Sequence, residues 1–247
     1  MVTISIVSHG QAELVGRCLL DLAGFPEVAR VIVTLNIPES DLDVPKELES
    51  RLLTIRNTTP QGFGANHNQA FLNCETPFYC VINPDIRLPK NPFPVLMAEL
   101  ERKHSAAIGP AVLSASGQLE DSVRKFPTPL SLGMKTLGRG DGRYQFSIGD
   151  ETFAADWVGG MFMLFRAEDY KRVGGFDEGF FLYYEDVDIC ARLWRAGCRV
   201  LACPKAQVIH DARRASHRNL RYLRWHVSSL ARYLSKHWLR FPNTEGR

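Results

Sequence analysis

Val2-Thr3-Ile4-Ser5-Ile6-Val7, a helical pattern over 12–23, and then Arg30-Val31-Ile32-Val33-Thr34-Leu35-Asn36 form the stretch whose reading decides the fold. Short β-branched runs that alternate with amphipathic segments of helix length predict a parallel sheet with helices on its faces. The alternation continues with expected strands at 52–56, 78–82 and 106–113, and expected helices at 64–72 and 92–103. The fold class is therefore α/β, with a mostly parallel central sheet flanked by helices. In such a sheet ligands collect at the carboxyl ends of the strands.

Further along, the pattern weakens between 114 and 151, where Pro127, Pro129 and five glycines (133, 138, 140, 142, 149) suggest a mobile loop or an insertion on one side of the site. Regularity returns with expected strands at 157–165, 199–203 and 207–209. A long helix is expected over 218–239, with Leu220, Leu223, Val227, Leu230 and Leu234 forming one apolar stripe. Arg221, Arg224, Arg232 and Lys236 flank the stripe, beside Tyr222, Trp225, Tyr233 and Trp238. It fits a phospholipid surface, the body of the protein, or a second copy of the chain in a homodimer.

Charge is distributed unevenly. From Lys205 onward there are ten Lys/Arg against two acids, a balance of +8, whereas the preceding residues hold 20 basic and 25 acidic side chains, a balance of −5. A basic tail on a mildly acidic body points to an anionic partner: a phospholipid surface, a diphosphate or nucleic acid. Six scattered cysteines without a CxxC pair argue against a zinc knuckle or a disulfide framework and for reduced thiols in a cytosolic protein. The amino-terminal segment lacks the sections of a signal peptide, and the longest apolar run, 158–165, is too short to span a bilayer.

Three clusters carry chemistry. Gly62-Phe63-Gly64-Ala65-Asn66-His67-Asn68 sits between a strand and a helix, where exposed amides suit a phosphate or nucleoside. His67 occupies the place of the third glycine in a dinucleotide fingerprint, which argues against a dinucleotide oxidoreductase. Asn83-Pro84-Asp85 follows the apolar run 78–82 and reads either as a simple turn or as a carboxylate placed to hold a divalent cation. The third cluster, 174–188, runs through Gly174-Gly175-Phe176-Asp177-Glu178 and an aromatic hinge into Glu185-Asp186-Val187-Asp188 at a helix start. Acids in a first helical turn are favoured by the helix dipole, but so dense a cluster also suits a base or a cation.

Together with Trp157-Val158-Gly159-Gly160, these motifs resemble, in order and spacing, family 2 glycosyltransferases of the GT-A fold, closest to the rhamnosyltransferase-like subgroup that builds bacterial surface polysaccharides. The resemblance covers about residues 2–212. It implies a GT-A domain at 1–212, with a donor nucleotide-binding half at 1–113 and an acceptor half at 114–212, followed by a basic amphipathic helical extension at 213–247. The implied activity is inverting, metal-dependent transfer of a sugar, L-rhamnose being the leading guess, from a dTDP- or UDP-linked donor to a hydroxyl of a glycan or lipid-linked acceptor. No nucleic-acid partner is implied. A lipid-linked acceptor would place the protein in the cytoplasm, peripheral on the inner membrane face.

Carried over by position, Asp186 is the expected general base, with Glu185 supporting it. Asp85 and His210 are the expected ligands of Mg²⁺ or Mn²⁺. Donor contacts are expected from Ser8, His9, Asn36, Gly62, Phe63, Gly64, Asn66, Asn68, Asn83 and Asp85, and acceptor contacts from Trp157, Gly159, Gly160, Glu185 and Asp188. The chain departs from the pattern at Leu35-Asn36, where relatives carry Asp-Asn, and at Pro60, where they often carry asparagine. The alternative is a non-catalytic nucleotide-sugar-binding scaffold of the same fold.

Overall fold

A computed structural model describes residues 1–211, 220–238, 240, 242 and 244. The first half runs β1 (Val2–Ser8), α1 (Ala12–Ala23), β2 (Val28–Leu35), α2 (Lys46–Glu49), β3 (Leu52–Arg56), α3 (Phe63–Phe71), β4 (Phe78–Ile82), β5 (Ile86–Arg87), α4 (Phe93–Arg102) and β6 (Ala107–Ser114). The second half runs β7 (Val123–Arg124), α5 (Pro129–Thr136), β8 (Phe153–Ala154), β9 (Trp157–Val158), β10 (Phe162–Arg166), α6 (Ala167–Arg172), α7 (Glu185–Arg195), β11 (Val200–His210) and α8 (Leu220–His237).

The strands form a sheet in the order β3-β2-β1-β4-β10-β6-β11-β5, with β8 added alongside β11. β3, β2, β1 and β4 are mutually parallel, and β11 is parallel to β6. β10 lies antiparallel between β4 and β6, with Leu164 opposite both Cys80 and Ile108. Both faces are covered. Cys80 and Leu164 belong to one apolar cluster with Ile4, Leu19 and Leu96, whereas Tyr79, Val81, Met163 and Phe165 belong to a second with Trp194. That division follows the two-residue repeat of a strand, whose successive side chains point to opposite faces.

Several boundaries differ from the sequence expectation. The expected strand at 157–165 is two strands, because Gly159 donates to Ser122 O at 2.8 Å and breaks the ladder before β10 begins. β9 instead pairs with β7 in a separate two-stranded sheet. The two expected strands after residue 199 are one strand, β11, with a register irregularity between Cys203 and Gln207. The expected loop at 114–151 contains a capped helix: Thr128 and Ser131 form a reciprocal capping box at α5.

The apolar stripe expected on the last helix is not its buried face. Leu223 and Val227 are 59% and 57% exposed, Leu230 and Leu234 are half-buried, and Ser229, Tyr233 and His237 point into the protein. Polar groups line that contact because carboxylates and carbonyls of the body receive them, so hydrophobic periodicity could not reveal it. The side chain of Leu220 and the expected boundary at 212–213 lie outside the described residues. Among the described residues no helix is long and apolar enough to cross a membrane.

Candidate active site

The site assembles where β4, β10, β11 and α7 meet. At the carboxyl end of β4, Asn83 donates its N–H to Met161 O at 2.9 Å, tying the Asn-Pro-Asp turn to the glycine turn at 159–161. The next link is Gly160 N–H, which donates to Asp186 Oδ2 at 2.9 Å. One turn therefore joins the expected metal ligand to the expected base.

Asp85 and His210 come together, with His210 Nε2 3.2 Å from Asp85 Oδ2. The pairing follows from topology, since β5 lies antiparallel to the end of β11 and places Ile86 opposite His210. On its other side His210 Nδ1 lies 2.7 Å from Glu120 Oε2, a residue the sequence reading missed. Burial works against a charged imidazole, but the hydrogen bonds to Asp85 and Glu120 outweigh it and raise His210 to about 9. Asp85 Oδ1 is buried without a hydrogen-bond partner. Asp85 offers its orphaned oxygen to a divalent cation, which would gain the imidazole as a second ligand by displacing the proton between His210 Nε2 and Asp85 Oδ2, with Glu120 holding the far nitrogen. Among the described residues no three His, Cys, Asp or Glu side chains form a complete metal cage, so substrate oxygens would have to fill the coordination sphere, as is usual for Mg²⁺ at phosphate sites.

Glu185 and Asp186 open α7 at the end of a strained hinge. Tyr183 and Tyr184 have φ of 71° and 67°, left-handed values that cost a non-glycine residue roughly 1–3 kcal/mol each. The two carboxyls fare differently. Asp186 accepts from Gly160 N–H through Oδ2 and from Val187 N–H through Oδ1 at 2.8 Å. Burial raises its pKa, and those backbone donors oppose the rise. Glu185 is only 5% exposed, its Oε2 has no hydrogen-bond partner, and burial together with the charge of Asp186 holds it well above the usual carboxylate range. The negative charge of the pair therefore resides on Asp186.

Both carboxyls line a cavity of about 730 Å³ whose wall includes Arg124, Trp157, Tyr184, Lys135 and His226. Trp157 is held by its indole N–H, which donates to Lys125 O at 3.1 Å. Asp188 lies elsewhere. It is fully buried, and Arg192, Lys236 and His237 take its oxygens at 2.7–2.8 Å. Burial alone would raise its pKa, but these partners hold it well below the usual range. Asp188 thus offers no open face to an acceptor. Gly159 and Gly160 likewise spend their N–H groups on Ser122 and Asp186.

The glycine-rich turn serves the hinge as well. A Cβ on Gly62 would lie 2.9 Å from Phe181 O, and one on Gly64 would lie 2.6 Å from Phe176 Cβ. Phe63 N–H donates to Phe181 O at 2.9 Å, and its ring meets those of His67 and Phe176. Asn68 is saturated by Tyr170, Phe176 and Glu178, while Asn66 bonds Gly62 O and Asn57. His67 is buried against Ser5, and burial pushes it down to about 3. Nearer the ends of β1 and β2, Asn36 bonds Gln61, Asn57 and His9. Ser8 Oγ donates to Glu39 Oε2 at 2.7 Å. Glu39 also receives Gln11 N–H, and it went unnoticed in the sequence because it lies in an irregular segment after β2.

The sheet and its site define a GT-A protein, as comparison with solved structures bears out. The chain superimposes on GalNAc-T7 with UDP, GalNAc and Mn²⁺ at a TM-score of 0.69 and 14% identity, covering 95% of this chain and 47% of that one. It superimposes on the mannosyltransferase PcManGT from Pyrobaculum calidifontis, solved with GDP-Man and Mn²⁺, at a TM-score of 0.62 and 14% identity, covering 98% and 65%. Residues 2–228 match the family Glycosyltransferase like family 2, and the chain belongs to that family. It is 32% identical to rhamnosyltransferase WbbL of Escherichia coli (strain K12), over 96% of this chain and 93% of that protein. It is 30% identical to the N-acetylglucosaminyl-diphospho-decaprenol L-rhamnosyltransferase of Mycobacterium tuberculosis (strain ATCC 25618 / H37Rv), over 53% of this chain and 45% of that one. The protein is a rhamnosyltransferase-like glycosyltransferase.

Proposed function

We propose that the protein transfers a sugar, L-rhamnose being the leading candidate, from a dTDP- or UDP-linked donor to a hydroxyl of a glycan or lipid-linked acceptor in surface polysaccharide synthesis, with inversion at the anomeric carbon. The observation that carries this reading is the state of Asp186: a carboxylate of raised basicity, fixed by two backbone donors at the wall of a large cavity. Each of its oxygens keeps a lone pair for an acceptor hydroxyl. Asp186 takes the hydroxyl proton as that oxygen attacks the anomeric carbon, and the bond to the diphosphate breaks on the opposite face. Glu185, kept neutral, adds no second charge to the acceptor side. Mg²⁺ or Mn²⁺ held by Asp85 and His210 would supply charge stabilisation to the departing diphosphate.

The lipid-linked form of the acceptor is supported by the surface beside the cavity. α5 and α8 contain no carboxylate, and they present Leu130, Met134, Leu223 and Val227 to solvent beside Lys135, Arg221 and Arg224. Apolar side chains set among cations suit an anionic bilayer, which would make the protein peripheral on the inner membrane face.

The test is a panel of nucleotide-diphosphate sugars offered with glycan and polyprenyl-linked acceptors, in Mg²⁺ or Mn²⁺. The expected result is transfer with inverted anomeric configuration, read by NMR of the product. Retained configuration, or transfer undiminished in Asp186→Asn, overturns the mechanism.

A further inference from the structure

We infer that α8 is a positioning element for Asp186: it clamps both ends of the hinge at 177–184 and thereby holds the base against the cavity. The inference rests on the assignment of Asp186 as base. The sequence of this helix admits a phospholipid surface, the body of the protein or a second copy of the chain; in the structure its inner face meets the body, at the few residues that precede and follow the base.

Lys236 is the centre of the clamp. Its ammonium lies 2.5 Å from Asp177 Oδ2, at the start of the hinge, and 2.7 Å from Asp188 Oδ1, two residues beyond the base. One side chain thus ties together the two ends of the segment that presents Asp186. Arg232 adds a second contact to Asp177 at 3.0 Å, and His237 adds a second to Asp188 at 2.8 Å. Gly179 permits this approach, because a Cβ there would overlap the Arg232 guanidinium.

Between those ends α8 covers the strained residues themselves. Ser229 Oγ donates to Leu182 O at 2.8 Å. His226 packs edge-on against Tyr183 and Tyr184 at 5.6 and 5.3 Å, and Tyr233 lies 5.7 Å from Tyr184. Trp225 packs on Phe181 at 4.8 Å. Two consecutive tyrosines in the left-handed region persist only where surrounding contacts over-determine them, and α8 supplies those contacts. Without them the pair would relax toward ordinary backbone angles and rotate Glu185 and Asp186 away from Gly160 N–H.

Lys236→Ala tests this in the full-length chain. Asp177 keeps Arg232, and Asp188 keeps Arg192 and His237, so the variant retains a partner for each carboxylate. The expected result is a kcat lowered about 100-fold, as for a misplaced catalytic group, with acceptor KM changed less than about threefold and donor Kd unchanged. Lys236→Arg should restore most of the loss, and Arg232→Ala should act in the same direction as Lys236→Ala. A wild-type kcat in Lys236→Ala overturns the inference. So does a loss shared equally by donor binding, or one that Lys236→Arg fails to rescue, since either marks a merely structural lysine. Hydrogen exchange separates this outcome from failure of the base assignment. If the wild-type protein turns over no donor, loss of amide protection at 181–188 in Lys236→Ala, with 2–35 unchanged, still supports the clamp, and unchanged protection overturns it.

Discussion

Asp186→Asn is the substitution whose consequences the structure defines most fully. The variant keeps the shape of the side chain but loses the proton acceptor, and removal of a positioned general base costs about 10²–10⁴ in rate, or roughly 3–5 kcal/mol of barrier. Two backbone N–H groups, of Gly160 and Val187, now share a single side-chain oxygen. One of them is left without an acceptor, at about 1–3 kcal/mol of stability. Against this, a partly desolvated charge beside Glu185 disappears, which offsets a similar amount. The thermal midpoint should therefore stay within about 4 °C of wild type, and donor affinity, read by calorimetry, should not change. The pH profile provides a second readout. The base must be deprotonated to act, so wild-type kcat/KM should rise with pH through a limb displaced above the ordinary aspartate value by burial of Asp186, and that limb should vanish in the variant. Turnover above about a tenth of wild type, or a parallel loss of donor binding, refutes Asp186 as the base.

Glu120→Gln should weaken Mn²⁺ binding in the presence of a nucleoside diphosphate by about tenfold, because the charged partner of the His210 far nitrogen is lost; an unchanged calorimetric Kd would count against a metal at His210. Glu39→Ala removes the acceptor of the Ser8 hydroxyl and one of the two acceptors of the Gln11 amide, and it should lower donor-nucleotide affinity about tenfold without altering acceptor KM. His67, lowered to about 3 by burial, binds its proton in the unfolded chain as pH falls below 6.5 but not in the folded one. Stability should therefore fall by up to about 1.4 kcal/mol per pH unit between those values, and urea melts of His67→Phe should show a shallower slope. Leu223→Ser combined with Val227→Ser should abolish co-sedimentation with anionic vesicles while transfer to a water-soluble acceptor survives; undiminished co-sedimentation would remove this face from the membrane contact.

The parallel half of the sheet was legible because its inner strands are largely buried and rich in β-branched and apolar residues, most plainly at 78–82, which is buried on both faces. The insertion of β10 between β4 and β6 was not, since antiparallel pairing of segments far apart in sequence leaves no local mark. Asp85 and His210 were both expected in the site, and their meeting follows from the antiparallel pair of β5 with β11, a two-residue strand too short to recognise beforehand. Asp188 shows the converse. In sequence it is one more acid at a helix start, and only the position of α8 shows its oxygens already taken.

The same reasoning explains why the site is rich in glycine. Gly62 and Gly64 let α3 approach the backbone at 176–181, Gly179 lets Arg232 lie across the hinge, and Gly160 brings an N–H group onto Asp186. Each absence of a side chain shortens a distance to the segment ending at Asp186. The electrostatics then follow from a count of donors: Asp186 receives the Gly160 and Val187 amides, whereas Glu185 Oε2 receives none. A carboxyl without donors in a buried place takes up a proton before one with two, so adjacent acids in an equally crowded turn divide into a neutral Glu185 and a charged Asp186. Substituting Gly160 by proline would remove the donor that sets this order. The charge should then pass less completely to Asp186, and the acid limb of kcat/KM should move to higher pH; a limb that stays in place would show that the Val187 amide alone suffices.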